Sequence, residues 1–464
     1  WSIMYRKTIY NFLQVVVVAA ALSLLGLGEA SAQGGAAVTA YSPYTMFGIG
    51  ELQTIGTAQM RAMGGCGVAW RSTQMPSMLN PAGYSATLQN SFLFNVGVEG
   101  NFLQNAQRQY TGDSYTVAKN GKNSANIHEI AIQFPLIKGL GMGFSLMPYS
   151  SVGYKMSFLD QSPEIAGNVG AAAYTYSGDG DVTEVKLGIG WEPFKNFSIG
   201  VAAKYYWGKI THNYTSEVAN NIVGNGSFLS VIGEDEYAIS NFKFQVGLQW
   251  NALASDKHML TLGATYDYGG GLRPKVTKSL LLNNTYNTEV FYEKGVSQMQ
   301  LPHSVKAGLM YQNPTFMAAV EYEFQAWGSG NNNRFEEQVS NNMTVKYVDT
   351  HTAKVGLSYT PNRFDVRNYL KRISYRVGFR YSNYYQEYNG RAIPQYAVTA
   401  GFGFPLKFMG TSSIDVTLEY GLRGSHALMS ATPKIGMVRQ DYFKVGLGFS
   451  LFGEDYWFVR PKYD

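Results

Sequence analysis

The sequence predicts an all-β chain: a transmembrane antiparallel β-barrel of about 14 strands, with an N-terminal hatch plugging its lumen. Three observations carry this expectation. Long runs alternate apolar with polar or small residues, an export segment precedes them, and the connections alternate between short and long. Composition agrees. Among 464 residues, 45% are hydrophobic, with 51 Gly, 34 Tyr and 26 Phe, and only 15% are charged. A typical soluble domain carries about 25% charged residues.

At the N-terminus, Arg6 and Lys7 precede an apolar run from Val15 to Leu27 and a small-residue site, Ala30-Ser31-Ala32. This reads as a signal peptide, residues 1–32, with a mature chain starting at Gln33. The run falls short of the ~20 residues a spanning helix needs. Cys66 lies too far beyond the site to be a lipidated first residue.

Next come the strands. Phe92, Phe94, Val96 and Val98 alternate with Leu93, Asn95, Gly97 and Glu99. The same rule holds for Val185 to Trp191, Phe197 to Trp207, Phe242 to Trp250 and Leu260 to Tyr268. Period-two patterning gives one apolar and one polar face. These runs reach the ~9–11 residues a tilted membrane strand needs. Trp191, Trp207, Trp250, Tyr268, Trp327 and Tyr420 sit at run ends, where an interfacial aromatic girdle belongs. Lys186, Lys204, Lys243 and Lys354 fall on polar faces and are expected inside the lumen.

Connections give an independent reading. Pro135 to Gly139, Glu192 to Asn196, Asn251 to Lys257 and Asn313-Pro314 are short. Gln104 to Ser124, Asp160 to Gly170, Arg273 to Gln298 and Gly328 to Asn342 are long and polar. That alternation is the outer-membrane pattern, with short periplasmic turns and long outer loops. The basic connection 360–372 breaks it. The barrel is expected over 90–452, and a periplasmic tail over 453–464. In the tail, Trp457, Phe458 and Arg460 are candidate partner contacts, or a cap on the last turn.

Residues 33–89 do not alternate and are rich in Gly. Met46, Phe47, Ile49, Leu52 and Ile55 favour a packed plug, since a barrel of this size cannot fill its lumen with wall side chains alone. Gly64, Gly65, Asn80, Pro81 and Ala82 are the candidate hatch or gate residues. Pro fixes φ and removes a donor, and Asn bonds nearby backbone, so Asn80-Pro81-Ala82 suits a rigid turn.

Met63-Gly64-Gly65-Cys66-Gly67-Val68-Ala69 followed by Asn80-Pro81-Ala82 resembles the hatch of the FadL family of outer-membrane long-chain fatty-acid transporters. Leu301-Pro302, Gly308-Leu309, Tyr311 and Glu321 to Trp327 are similar to that family's Leu-Pro hairpin. Gly401-Phe402-Gly403-Phe404-Pro405 resembles its third strand from the end. The resemblance implies a 14-stranded barrel, uptake of hydrophobic molecules through the lumen, and lateral release through a wall gap. Pro148, inside a long strand, is the candidate kink for such a gap. Tyr41-Ser42-Pro43-Tyr44, Phe47-Gly48-Ile49-Gly50 and the Trp457-Phe458 tail mark a divergent subgroup.

Two functions follow. One is passive, hatch-gated uptake of small hydrophobic molecules such as fatty acids. The other is a non-transporting barrel subunit of an outer-membrane assembly or secretion complex. The expected partners are outer-membrane lipid, a hydrophobic ligand and envelope-complex proteins. No catalytic residue, metal ligand or cofactor is nominated, and no basic block suggests nucleic acid. One Cys excludes a disulfide scaffold, and the glycines at 139–143 and 446–448 lack the helix a phosphate loop requires.

Overall fold

Lipid outside and water or plug inside invert the usual burial rule, and the chain folds accordingly. The computed structural model describes residues 42–454, except 90, 161–171, 219–230, 256, 283–284, 293–297, 330–334, 341–342, 407–411 and 432–433. The expected signal segment and the tail residues Trp457, Phe458 and Arg460 lie outside the described residues.

Fourteen wall strands are traced among the described residues. They begin with β1 (Ser91–Thr111), β2 (Ser114–Ile137), β3 (Leu140–Asp160) and β4 (Ala172–Phe194). Next come β5 (Phe197–Val218), β6 (Val231–Ala254) and β7 (Met259–Asp267), which resumes as Lys275–Leu282. β8 likewise has two pieces, Thr285–Tyr292 and His303–Gln312. Then follow β9 (Phe316–Ala326), β10 (Thr350–Tyr359), β11 (Ser374–Tyr388), β12 (Arg391–Pro405), β13 (Ser413–Arg423) and β14 (Lys434–Glu454). Pairing is antiparallel, and β1 meets β14 from Ser91↔Glu454 to Gln109↔Ile435, so the sheet closes.

Alternation places the faces as the sequence predicts. On β6, Phe242, Phe244, Val246, Leu248 and Trp250 are exposed, while Lys243, Gln245 and Gln249 are buried. Lys186, Lys204 and Lys354 are buried in the lumen as well. Trp191, Trp250, Tyr268 and Tyr420 stay exposed at strand ends. Trp327 does not join that girdle. It is fully buried, stacked on Tyr385 at 4.2 Å, with its indole N–H donated to Gln325 Oε1. It follows the end of β9, where the chain leaves the alternating strand and turns inward.

The polar stretch Gln104 to Ser124 is not a loose loop. It continues the β1–β2 ladder to Thr111↔Ser114, with the turn at Gly112-Asp113. Main-chain pairing requires no apolar face, so this part of the hairpin is invisible to hydrophobic periodicity. The basic 360–372 connection contains a short 3-10 helix, Tyr369–Arg372.

Candidate functional site

The candidate site is the lumen and the hatch that fills it. The described chain starts at Ser42 in the loop-end half of the barrel and descends to the turn end before entering β1. Three sets of contacts hold it.

The first set is aromatic. Tyr44, Phe47 and Ile49 pack with Trp327, Tyr347, Tyr384, Tyr385 and Tyr388 in one buried cluster. The hydroxyls are satisfied there. Tyr44 donates to Val438 O at 2.6 Å, and Tyr385 donates to Gly50 O at 2.7 Å. Gln386 Nε2 donates to Phe47 O at 2.7 Å.

The second set is ionic. Thr57 caps the helix α1 (Ala58–Ala62), and its Arg61 lies between Glu99 and Glu129, the latter at 3.0 Å. Glu129 also accepts the Ala58 N–H at 2.9 Å. Glu321 accepts the N–H groups of Gly67 and Val68 at 2.7 and 2.9 Å. Glu51 pairs with Arg423 and Arg71 with Glu192, both at 2.7 Å. Each buried charge needs its partner, because removing one member leaves the other uncompensated. Wall-to-wall pairs complete the lining: Lys204–Asp267 at 2.7 Å, Lys306–Glu323 at 3.2 Å and Lys354–Glu321 at 2.8 Å.

The third set is steric. Gly141 and Gly143 of β3, Gly190 of β4, Gly200 of β5 and Gly247 of β6 face residues 80–84 so closely that a Cβ would collide with them. Gly356, Gly378, Gly401 and Gly448 do the same against residues 58–64. These inward glycines are therefore seats for the plug, each admitting hatch backbone or a hatch side chain where its own side chain would stand.

Every nominated hatch residue within this region has a defined place. Gly64 and Gly65 take φ of 72° and 85° just past α1. This left-handed turn is natural to Gly, and it returns the Gly65 N–H to Met60 O at 2.9 Å. Asn80 caps the 3-10 helix Pro81–Ala86, accepting the Ala82 N–H at 3.0 Å. Its Nδ2 donates to Val68 O at 2.8 Å and to Leu248 O of the wall at 3.0 Å. Asn80 and Ala82 are fully buried. The two groups sit on different parts of the wall, with Gly64 against β10 and β11 and Asn80 against β6. Cys66 is buried between them, and burial, aided by the neighbouring Glu321 carboxylate, pushes its thiol up to about 12.

Sequence reasoning missed Glu51, Arg61, Arg71 and the wall carboxylates that receive them. A signal existed: Arg61 interrupts the apolar Met60-Arg61-Ala62-Met63, and Glu99, Glu129 and Glu321 occupy inward parity on their strands.

Among the described residues, the cavity at mid-lumen is small, with charged and apolar side chains on its border. This cavity of about 150 Å³ is bordered by Lys204, Asp267, Lys306, Glu323, Arg380 and Lys444, among others. Pockets for drug-sized apolar ligands are about 300–1,000 Å³ and mostly apolar. A wider recess of about 1280 Å³ opens at the turn end, bordered by Trp70, Arg71, Glu192, Arg363 and Arg372.

Pro148 lies at a discontinuity in the wall. The β2–β3 ladder ends at Ile130↔Leu146, and the β3–β4 register shifts between Pro148 and Ser150. Beyond that point β2 pairs with β1 alone, and the inner edge of β3 is taken by the hatch. Glu51↔Ser151 and Leu52↔Ser150 form a two-residue ladder, and the Gln53 N–H donates to Tyr149 O at 2.9 Å. A crevice of about 20 Å³ remains beside Pro148. No cluster of three metal-binding side chains occurs among the described residues.

A family model described as BamG matches residues 13–464. No curated protein matches. Solved structures show the fold. A FadL homologue of Pseudomonas aeruginosa aligns at 13% identity and a TM-score of 0.54, over 87% of this chain and 98% of its own. The toluene transporter TodX of Pseudomonas putida aligns at 15% and 0.53, over 88% and 100%. The toluene transporter TbuX of Ralstonia pickettii aligns at 14% and 0.50, over 85% and 98%. The fold is FadL-like and the protein resides in the outer membrane. Outer-membrane barrels carry short turns on the periplasmic side and long loops outside, which assigns the turn end to the periplasm.

Proposed function

The chain belongs to the BamG family, and from that premise we propose that it is a plugged, non-transporting barrel subunit of an outer-membrane assembly or secretion complex. One observation carries this reading. The hatch fills the lumen along its height, by aromatic packing at the loop end and by ion pairs and glycine seats lower down. Above the turn-end recess, the lumenal cavity of about 150 Å³ is below the usual size for a hydrophobic ligand and is bordered by charged groups. Family membership supports a place beside other envelope proteins. The tail residues Trp457, Phe458 and Arg460 are the proposed partner contacts.

A second reading rests on a separate observation, the incomplete β2–β3 seam at Pro148. In it, hatch movement about Gly64, Gly65 and Asn80-Pro81-Ala82 withdraws Glu51 and Leu52 from β3. A small hydrophobic molecule such as a fatty acid then passes sideways into the bilayer. No energy-coupling group is invoked, so flow follows the gradient. Neither reading requires an enzyme activity.

The deciding experiment is gentle extraction from native membranes, followed by native mass spectrometry and single-channel recording. Stoichiometric recovery with other envelope proteins and a silent barrel support the subunit reading. A lone barrel carrying bound fatty acid, with uptake lost on pinning the hatch to the wall, would overturn it in favour of the second.

A further inference from the structure

The periplasmic rim repeats one arrangement: an exposed apolar residue beside an exposed cation. Ile137-Lys138 forms it in the β2–β3 turn and Phe194-Lys195 in the β4–β5 turn. The β10–β11 connection repeats it three times, as Arg363-Phe364, Val366-Arg367 and Leu370-Lys371. Phe364, Val366 and Leu370 are 86%, 81% and 63% exposed, higher than most apolar residues of the lipid-facing wall.

This connection is held in shape despite its exposure. Asp365 accepts the N–H groups of Arg367 and Asn368 at 2.9 and 2.7 Å. The Asn362 N–H donates to Lys371 O at 2.8 Å. Two contacts then fix it against the outer wall. Tyr369 donates its hydroxyl to Pro405 O at 3.3 Å, and Tyr375 donates to Leu370 O at 3.1 Å. Tyr375 packs edge-on against Phe402 on the lipid-facing side of β11 and β12. Leu370 is thus continuous with the membrane band. Arg363 and Arg372 turn the other way, toward the periplasmic recess.

Charge is one-sided. Lys371 lies 3.7 Å from Asp365. No carboxylate among the described residues forms an ion pair with Lys138, Lys195, Arg363, Arg367 or Arg372. Cations flanked by apolar side chains at a membrane boundary match anionic headgroups above acyl chains. A protein partner covers one sector of a barrel, whereas a leaflet surrounds it. The apolar–cation pair recurs at separated turns around the rim, which fits the leaflet.

We propose that the periplasmic rim, led by residues 360–373, is a binding surface for anionic phospholipid of the inner leaflet. Phe364, Val366 and Leu370 enter the acyl boundary, and Arg367 and Lys371 engage phosphate. The full-length barrel in nanodiscs tests this. Trypsin cleavage within 360–373 is compared in phosphatidylethanolamine alone and with phosphatidylglycerol added. Each cation near an anionic surface contributes about fivefold in partitioning, so cleavage is expected to slow by at least about fivefold with phosphatidylglycerol. The protection is expected to fade at high salt. Equal cleavage in both compositions overturns the proposal. So does protection that appears only when a co-purified envelope protein is bound, which would make the rim a protein interface. A double variant, Arg367→Gln and Lys371→Gln, gives a second readout. Phosphatidylglycerol retained in native mass spectra is expected to fall several-fold, and unchanged retention in a folded variant overturns the proposal.

Discussion

The barrel wall has two seams of different construction. Where β1 meets β14, the ladder runs from one end of the barrel toward the other. Between β2 and β3 it stops at Ile130↔Leu146, and residues 51–53 of the hatch occupy the abandoned edge of β3. An exposed strand edge inside a membrane leaves backbone groups unsatisfied, which lipid does not tolerate. The hatch is therefore part of the wall as well as its stopper. Removing the hatch would thus empty the lumen and bare the β3 edge together.

Deleting residues 42–88 breaks this comparison most severely. The β3 edge loses its substitute ladder, and the wall carboxylates lose Arg61 and Arg71. In planar bilayers, a silent parent is expected to become a large open pore; a silent deletion variant that still folds would refute the plug. Next in size is Arg61→Ala, which leaves Glu99 and Glu129 buried without their shared cation. A loss of about 3–5 kcal/mol is expected in denaturant unfolding. The steric contribution is smaller. Gly378→Val places a side chain where Gly64 sits, and overpacking of this kind costs about 1–3 kcal/mol. Its effect should be rescued by deleting the hatch, which isolates contact with the plug from strain in the strand.

Two finer tests sharpen the contrast between plug and rim. Cys66 should resist maleimide at pH 8 in the native barrel and react once unfolded, since burial keeps the thiol protonated. Asp365 behaves in the opposite sense. Its carboxyl is held low by the Asn368 N–H first and the Arg367 N–H second. A lowered carboxylate contributes order above its ordinary range and loses it as pH falls through the folded value. Amide protection in 362–371, taken relative to the intrinsic exchange rate at each pH, should therefore fall on acidification below about pH 4, with the barrel strands unaffected.

The fold was legible in the sequence because lipid imposes strict alternation, as Phe242 to Trp250 shows. The hatch was legible by its lack of alternation, and Asn80-Pro81-Ala82 by its turn chemistry. Other features leave no such trace. Residues 104–124 extend a ladder through backbone pairing, which the side chains do not announce. Trp327 looked interfacial because a run end gives no sign of which way the chain turns next. The inward glycines were readable as small positions, but what each one admits depends on a segment far away in sequence. Gly378 meets Gly64, and Gly247 meets Asn80. The ion pairs are equally long-range, with Glu51 finding Arg423 across most of the chain.

That separation gives the plug a timetable. Arg61 has its acceptors on the first two strands, so the middle of the hatch is able to seat as soon as the opening hairpin exists. Glu51 waits for Arg423 on β13, and Ser42 waits for Gln440 on β14. During insertion the outer half of the hatch can meet the β3 edge early, but its contacts to Arg423 and Gln440 close only when the final strands arrive. Its locking would serve as an internal checkpoint of completed biogenesis.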